Sequence, residues 1–207
     1  MPALVEDLDH ALRLALTALA GRPAADWERA AGPIEWTCWE TAEHLADDLF
    51  GYAGQLSPPV PPLDGYVPYA VEPVRGGGPP SAIRADRSAG PEGLLRVVES
   101  AGGLFLTVLR ASGPEVRAFH SAGVTDPAGY AALGLVETLV HVDDIATGLG
   151  VTWEPPPGMC ARLLARIFPD VEGADEGPWA TVLWACGRRE LTGRGRRVGW
   201  QPDVGVR

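Results

Sequence analysis

The chain has 207 residues, 46% of them hydrophobic, and a formal net charge of −10 at pH 7. That length fits one compact domain, or a domain with a small appendage, and that apolar content can bury a sizeable core. The acidic balance argues against nucleic acid as a partner, because phosphates must be neutralised by basic side chains. No apolar run reaches the roughly 18 residues of a membrane-spanning helix. The N-terminal Met1-Pro2-Ala3-Leu4-Val5-Glu6-Asp7 lacks the basic and apolar regions of a signal peptide. Cys38, Cys160 and Cys186 are too few and too scattered for a disulfide framework or a Cys-x-x-Cys zinc knot. They read as small buried apolar side chains, and a reduced cytoplasm as the setting.

Apolar residues at three- and four-residue steps from Leu4 to Leu19 predict a first helix, ended at Gly21 with Pro23 beyond and with His10 on its surface. Residues 27–33 form a connection. A second helix begins at Trp36 or Thr37, where Thr37 and Glu40 make a capping box, and it stops before Ser57-Pro58-Pro59. Residues 57–90 are rich in Pro and Gly. A stretch of that length in a compact domain is a functional cover or a mobile segment, here with a short helical turn expected at 81–86. A third helix covers 91–111, with Gly102-Gly103 marking a kink or a close contact. Asp126-Pro127 opens a fourth, as N-cap followed by Pro, which runs to Gly148 or Gly150. Pro155-Pro156-Pro157 opens a fifth, ending near Phe168-Pro169, and residues 178–186 form a sixth. Residues 190–198 are a small hairpin or an irregular arm. The basic cluster of Arg188, Arg189, Arg194, Arg196 and Arg197 is a solvated turn with its flanks, or else an anion site. The expectation is an all-α four-helix bundle with a long crossover, formed by residues 1–153, with C-terminal helices and arm, 154–207, packed on it.

Glu137 and His141 lie four residues apart on the fourth helix and converge on one face. Their stripe neighbours Leu133 and Ile145 are apolar, so the stripe points inward, where a carboxylate and an imidazole need pairing or ligation. His44 on the second helix sits among Trp36, Cys38, Leu45, Leu49 and Tyr52 and raises the same question. Two histidines and a carboxylate from facing helices satisfy a three-ligand divalent site with open positions. The residues alone leave other readings open: a surface pair for Glu137 and His141, a hydrogen-bonded core histidine for His44. Glu40 and His44 repeat the spacing and admit a two-metal site.

The segment Trp36-Thr37-Cys38-Trp39-Glu40-Thr41-Ala42-Glu43-His44-Leu45-Ala46 resembles the first metal segment of the DinB-like superfamily. Glu137-Thr138-Leu139-Val140-His141-Val142-Asp143-Asp144 resembles the second metal segment of its mycothiol-dependent maleylpyruvate isomerase N-terminal family. The likeness extends through Trp153-Glu154-Pro155-Pro156 and, more loosely, to Trp184-Ala185-Cys186-Gly187-Arg188. This resemblance implies an up-up-down-down bundle and a divalent ion, zinc first and Ni, Fe or Mn as alternatives, on His44, Glu137 and His141. Asp48 and Asp144 would then support the two imidazoles from behind.

The resemblance also implies mycothiol or a similar low-molecular-weight thiol as cosubstrate and a small electrophile as substrate, in a transferase or isomerase. Arg84, with Arg75 and Arg87, and His120 are the candidates for binding substrate anions or moving protons. A non-catalytic ligand- or metal-binding bundle, including a homodimer, and a metal-dependent hydrolase are the competing readings. The short C-terminal part would lack the full second domain of an isomerase.

Overall fold

The computed structural model describes residues 2–206 and is mostly helical. Four long helices form the bundle: α1 (Pro2–Leu19), α2 (Cys38–Leu56), α3 (Gly90–Ala111) and α4 (Pro127–Leu149). Two shorter ones, α5 (Pro157–Ile167) and α6 (Pro178–Ala185), pack beside it. Strands β1 (Glu72–Pro73) and β2 (Pro80–Ser81) pair within the crossover, and β3 (Ala118–His120) and β4 (Gly123–Thr125) form an antiparallel hairpin. No helix among the described residues is long and apolar enough to cross a membrane.

The helix starts follow their caps. Thr37 accepts the Glu40 N–H while Glu40 accepts the Thr37 N–H, the reciprocal arrangement expected of a capping box. Asp126 accepts the Gly129 N–H at 2.7 Å, and Gly150 ends α4 at a φ of 67°.

Contacts between helices fix their directions. Arg87, just before α3, stacks 4.8 Å over Trp39 at the start of α2, and Tyr52 meets Phe105 further along, so α2 and α3 run the same way. Asp9 in α1 binds Arg110 near the end of α3, and Leu12 occupies the space over Gly102, so α1 runs against α3. The Cys38 thiol at the start of α2 reaches the Ile145 carbonyl near the end of α4, so these two are antiparallel. Round the bundle, α1 and α4 therefore point one way and α2 and α3 the other. The chain order is up-down-down-up rather than the expected up-up-down-down, because the long crossover joins the parallel pair α2 and α3. Because α2 and α3 are parallel, the chain must travel back about 28 Å, the length of α2, before α3 can begin. That return is the long crossover.

The crossover is a cover tied to α2. Gln55 donates to the Pro62 and Gly65 carbonyls and accepts the Val67 N–H. Asp47 accepts the N–H groups of Ala82 and Ile83, at 2.7 and 2.9 Å. Glu43 accepts the Ala85 N–H, and Tyr69 lies over Gly54, where any Cβ would collide with its ring. The helical turn expected at 81–86 is absent because the Ala82 and Ile83 amides are engaged by Asp47. A 3-10 turn forms instead at Arg87–Ala89, capped by Asp86. The tail beyond α6 is an irregular arm with a single bridge between Leu191 and Arg194. The three cysteines are buried and free.

Candidate metal centre

α4 is buried almost all round, because α1, α2, the β3–β4 hairpin and α5 surround it. Polar groups on such a helix must find partners, and Glu137, His141 and Asp144 find them in one another. Glu137 Oε2 lies 3.2 Å from His141 Nε2, and Asp144 Oδ2 lies 3.3 Å from His141 Nδ1. On α2, His44 and Asp48 also sit four residues apart, with His44 Nε2 3.3 Å from Asp48 Oδ2. The antiparallel packing of α2 on α4 brings the two imidazoles together, ring centroids 5.1 Å apart and nearly perpendicular. Trp36 lies 4.7 Å from the His44 ring and 6.3 Å from that of His141, and its indole N–H binds the Gly77 carbonyl of the crossover.

One ligand atom each from His44, Asp48 and His141 falls within 4.8 Å of the others. Asp48, which the sequence placed behind His44, is thus in the tightest set, and Glu137 approaches through His141. Asp144 is held by a fork from Arg188, whose Nη2 lies 3.0 Å and Nε 3.2 Å from Oδ2. The Arg188–Asp144 pair had no counterpart in the sequence reading. Its only signal was the position of Arg188 in the Trp184–Arg188 segment, since the pairing spans 44 residues of chain.

The electrostatics of the cluster are asymmetric. Burial drives the His44 pKa down to about 4, helped by the charge of His141. Burial also pulls on His141, but hydrogen bonds to Asp144 and Glu137 outweigh it, and its pKa is pushed up to about 9. Burial, and then the charge of Glu137, raises the Asp48 carboxyl well above its ordinary range. Glu137 is shifted down: burial opposes its charge, and the hydrogen bond to His141 prevails. The Nδ1 atom of His44 is buried without a hydrogen-bond partner, and that of His141 faces only the Asp144 carboxylate at 3.3 Å. Two imidazoles and the carboxylates of Asp48 and Glu137 form a donor set that fits a divalent cation, while Arg188 is occupied by Asp144 behind it.

A cleft of about 280 Å³ adjoins the cluster at Asp48. It lies between α2, the crossover and His120 of β3, with Tyr52, Tyr66 and Tyr69 in its walls. The hairpin that carries His120 was not foreseen. It is anchored where the Phe119 N–H meets the Pro62 carbonyl and the Tyr130 hydroxyl donates to the Phe119 carbonyl.

The arginines proposed for substrate anions are engaged elsewhere. Arg75 forks onto Glu40 at 2.7 and 2.8 Å, Arg84 donates to the Glu72 and Ser81 carbonyls, and Arg87 binds Glu28. With both oxygens bound to Arg75 and Thr37, Glu40 does not join His44 in a second metal site. Within the basic cluster, Arg197 binds Asp170, Arg194 the Glu172 carbonyl and Arg196 the Arg188 carbonyl. His10 is exposed on α1.

A comparison with protein families matches residues 5–146 to the mycothiol maleylpyruvate isomerase N-terminal domain. The chain belongs to that family. Its bundle is the DinB-like fold, and the matched region contains the whole His44, Asp48, Glu137 and His141 cluster. Arg188 and the arm lie beyond the match. Neither the curated proteins nor the solved structures yield a match.

Proposed function

We propose that this member of the mycothiol maleylpyruvate isomerase N-terminal domain family is a divalent-metal-dependent enzyme. It joins a low-molecular-weight thiol, mycothiol or a similar one, to a small electrophile, as a transferase or isomerase. The observation that carries this reading is the convergence of His44 and His141 from facing helices, with carboxylates around them and a cleft alongside.

His44, His141 and Asp48, with Glu137 beside them, would hold the ion. Zn²⁺ suits this set best, and Ni²⁺, Fe²⁺ and Mn²⁺ compete for it. When bound, the ion supplies a positive charge that lowers the pKa of a thiol or water brought to its open position. Asp144 aligns the His141 ring from behind, and Arg188 holds Asp144 in place. Trp36 packs against both imidazoles and is tied to the crossover through the Gly77 carbonyl. The sulfur of the cosubstrate adds to an electrophilic carbon of the substrate. In an isomerisation, rotation about the former double bond follows and the C–S bond breaks again, regenerating the thiol.

The test is elemental analysis of the purified protein beside His141→Ala, followed by a thiol-consumption assay with and without chelator. Stoichiometric metal in the parent alone, with chelator-sensitive thiol consumption, supports the reading. Equal, substoichiometric metal in both overturns it. Metal without thiol consumption leaves a binding bundle, and thiol-independent turnover points to a hydrolase.

A further inference from the structure

We infer that Tyr52 is a catalytic residue, whose hydroxyl donates a hydrogen bond to the carbonyl oxygen of a conjugated electrophile as the thiol adds. This rests on the proposed function for the reaction, and on the cleft and α2 for the contact.

Tyr52 lies on α2 one turn beyond Asp48 and two turns beyond His44. At about 100° per residue the three side chains leave the helix within about 80° of one another. Tyr52 thus continues the stripe that carries the metal-binding pair, roughly 6 Å along the axis from Asp48. It lines the cleft of about 280 Å³ together with Asp48, and the charges of Glu137 and Asp48 both reach it.

Packing does not need its hydroxyl. The ring meets Phe105, Tyr130 and His120, with centroids 5.8, 5.6 and 6.1 Å away, and a phenylalanine would keep those contacts. Tyr130 and Tyr66, the other tyrosines around His120, have committed hydroxyls: one donates to the Phe119 carbonyl and the other accepts the Ser121 N–H. The Tyr52 hydroxyl has no hydrogen-bond partner among the described residues, and its oxygen opens to the cleft instead of being sealed in the core. A half-buried phenol among aromatic neighbours is costly unless a ligand or water supplies the missing partner. Burial, and then the charges of Glu137 and Asp48, push its pKa well above the usual tyrosine range. The group therefore keeps its proton and serves as a donor, never as the base that activates the thiol.

Addition to a conjugated carbonyl calls for such a donor. The thiolate sulfur bonds to the β-carbon of an enone, the C=C electrons move towards the carbonyl, and negative charge gathers on its oxygen. The Tyr52 O–H stabilises that oxygen. Rotation about the former double bond follows. The enolate electrons then re-form C=C and expel the thiolate, with no net proton transfer. The contact selects a conjugated carbonyl oxygen and leaves the charge on the rest of the substrate open.

The test compares the full chain loaded with Zn²⁺ with its Tyr52→Phe variant, matched for metal content. With mycothiol, the parent should convert cis-4-phenylbut-3-en-2-one to its trans isomer, and the variant should do so about 100-fold more slowly. Alkylation of the same thiol by benzyl chloride develops no oxyanion and should change by less than about twofold. Independently of turnover, the infrared carbonyl band of bound trans-4-phenylbut-3-en-2-one should move to higher frequency in the variant, as the hydrogen bond is lost. An unmoved band, absent enone binding, an unchanged isomerisation rate or equal slowing of both electrophiles overturns the role of Tyr52. So does a variant that unfolds, because the hydroxyl would then be holding the fold. A moved band without thiol turnover by the parent sustains Tyr52 as the donor and overturns the enzymatic reading. Thiol turnover with an unmoved band does the reverse.

Discussion

His44 and His141 sit with ring centroids 5.1 Å apart, yet their helices treat them in opposite ways. His44 is half-buried near the start of α2, with Asp48 within reach and Trp36 against its edge, and it is neutral down to about pH 4. His141 is buried on α4 between Glu137 and Asp144, with Arg188 behind, and it keeps its proton up to about pH 9 in the absence of a metal. One half-site offers a lone pair that is already free. The other offers a ring oriented by carboxylates that must lose a proton before it can ligate. Affinity and its pH dependence should therefore be governed by α4, and access to the site by α2 and the cover tied to it.

Removing either imidazole is the harshest way to test this contrast. His44→Ala and His141→Ala should each abolish stoichiometric Zn²⁺ binding, measured by elemental analysis after dialysis against chelator. A variant that still holds one ion would show that its half-site is dispensable. The carboxylates sharpen the comparison: Asp48→Ala should lower Zn²⁺ affinity more than Glu137→Ala if the tightest set is the ligating one, and calorimetric titration would rank them. The reverse order would make Glu137 the ligand. Weakening the support behind His141, by Asp144→Asn or Arg188→Gln, should reduce Zn²⁺ affinity by roughly 10–100-fold. No change would separate the arm from the site.

The contrast also predicts a pH profile for the chelated protein. His141 has a folded pKa of about 9 against an ordinary 6.5, so its charged form stabilises the fold below 6.5 and that contribution is lost as pH rises through 9. His44, depressed from 6.5 to about 4, binds its proton less well when folded, so stability falls as pH drops from 6.5 towards 4. The contribution of the two histidines is thus greatest near pH 6.5, and urea unfolding across that range would show both limbs. Asp144→Asn should blunt the alkaline limb and leave the acid one. The smallest effect concerns the start of α2: Thr37→Ala removes one member of the capping box and should cost about 1 kcal/mol by thermal unfolding. A cost near zero would mean that packing of Trp39 and Cys38 holds this end without the cap.

Much of the molecule was legible from local pattern. Helix faces, the Thr37–Glu40 box, the Asp126–Pro127 start and the four-residue spacing of Glu137 and His141 are properties of neighbouring residues. They constrain the backbone before any tertiary contact forms. The parallel course of α2 and α3 follows from which apolar stripes pack together. The length of residues 57–90 announced a cover, but not the residues that tie it down. Gln55, Asp47 and Glu43 look like ordinary solvated positions until the crossover folds over them. The short β3–β4 hairpin escaped notice because three-residue strands carry almost no periodicity, and with it went the setting of His120.

The amino-acid order by itself determined the four long helices, their caps, and a family pattern with a histidine on each of two of them. Only the tertiary structure decided which carboxylate joins His44, that Arg188 reaches Asp144, and that the crossover arginines are spent on Glu40, Glu28 and backbone carbonyls. Helix-forming preferences act between residues a few places apart, whereas those charge pairings depend on side chains brought together from 35 to 59 positions away. For such pairs no local spacing rule exists; burial obliges Asp144 and Glu40 to find a cation, and the course of the folded chain decides which one arrives.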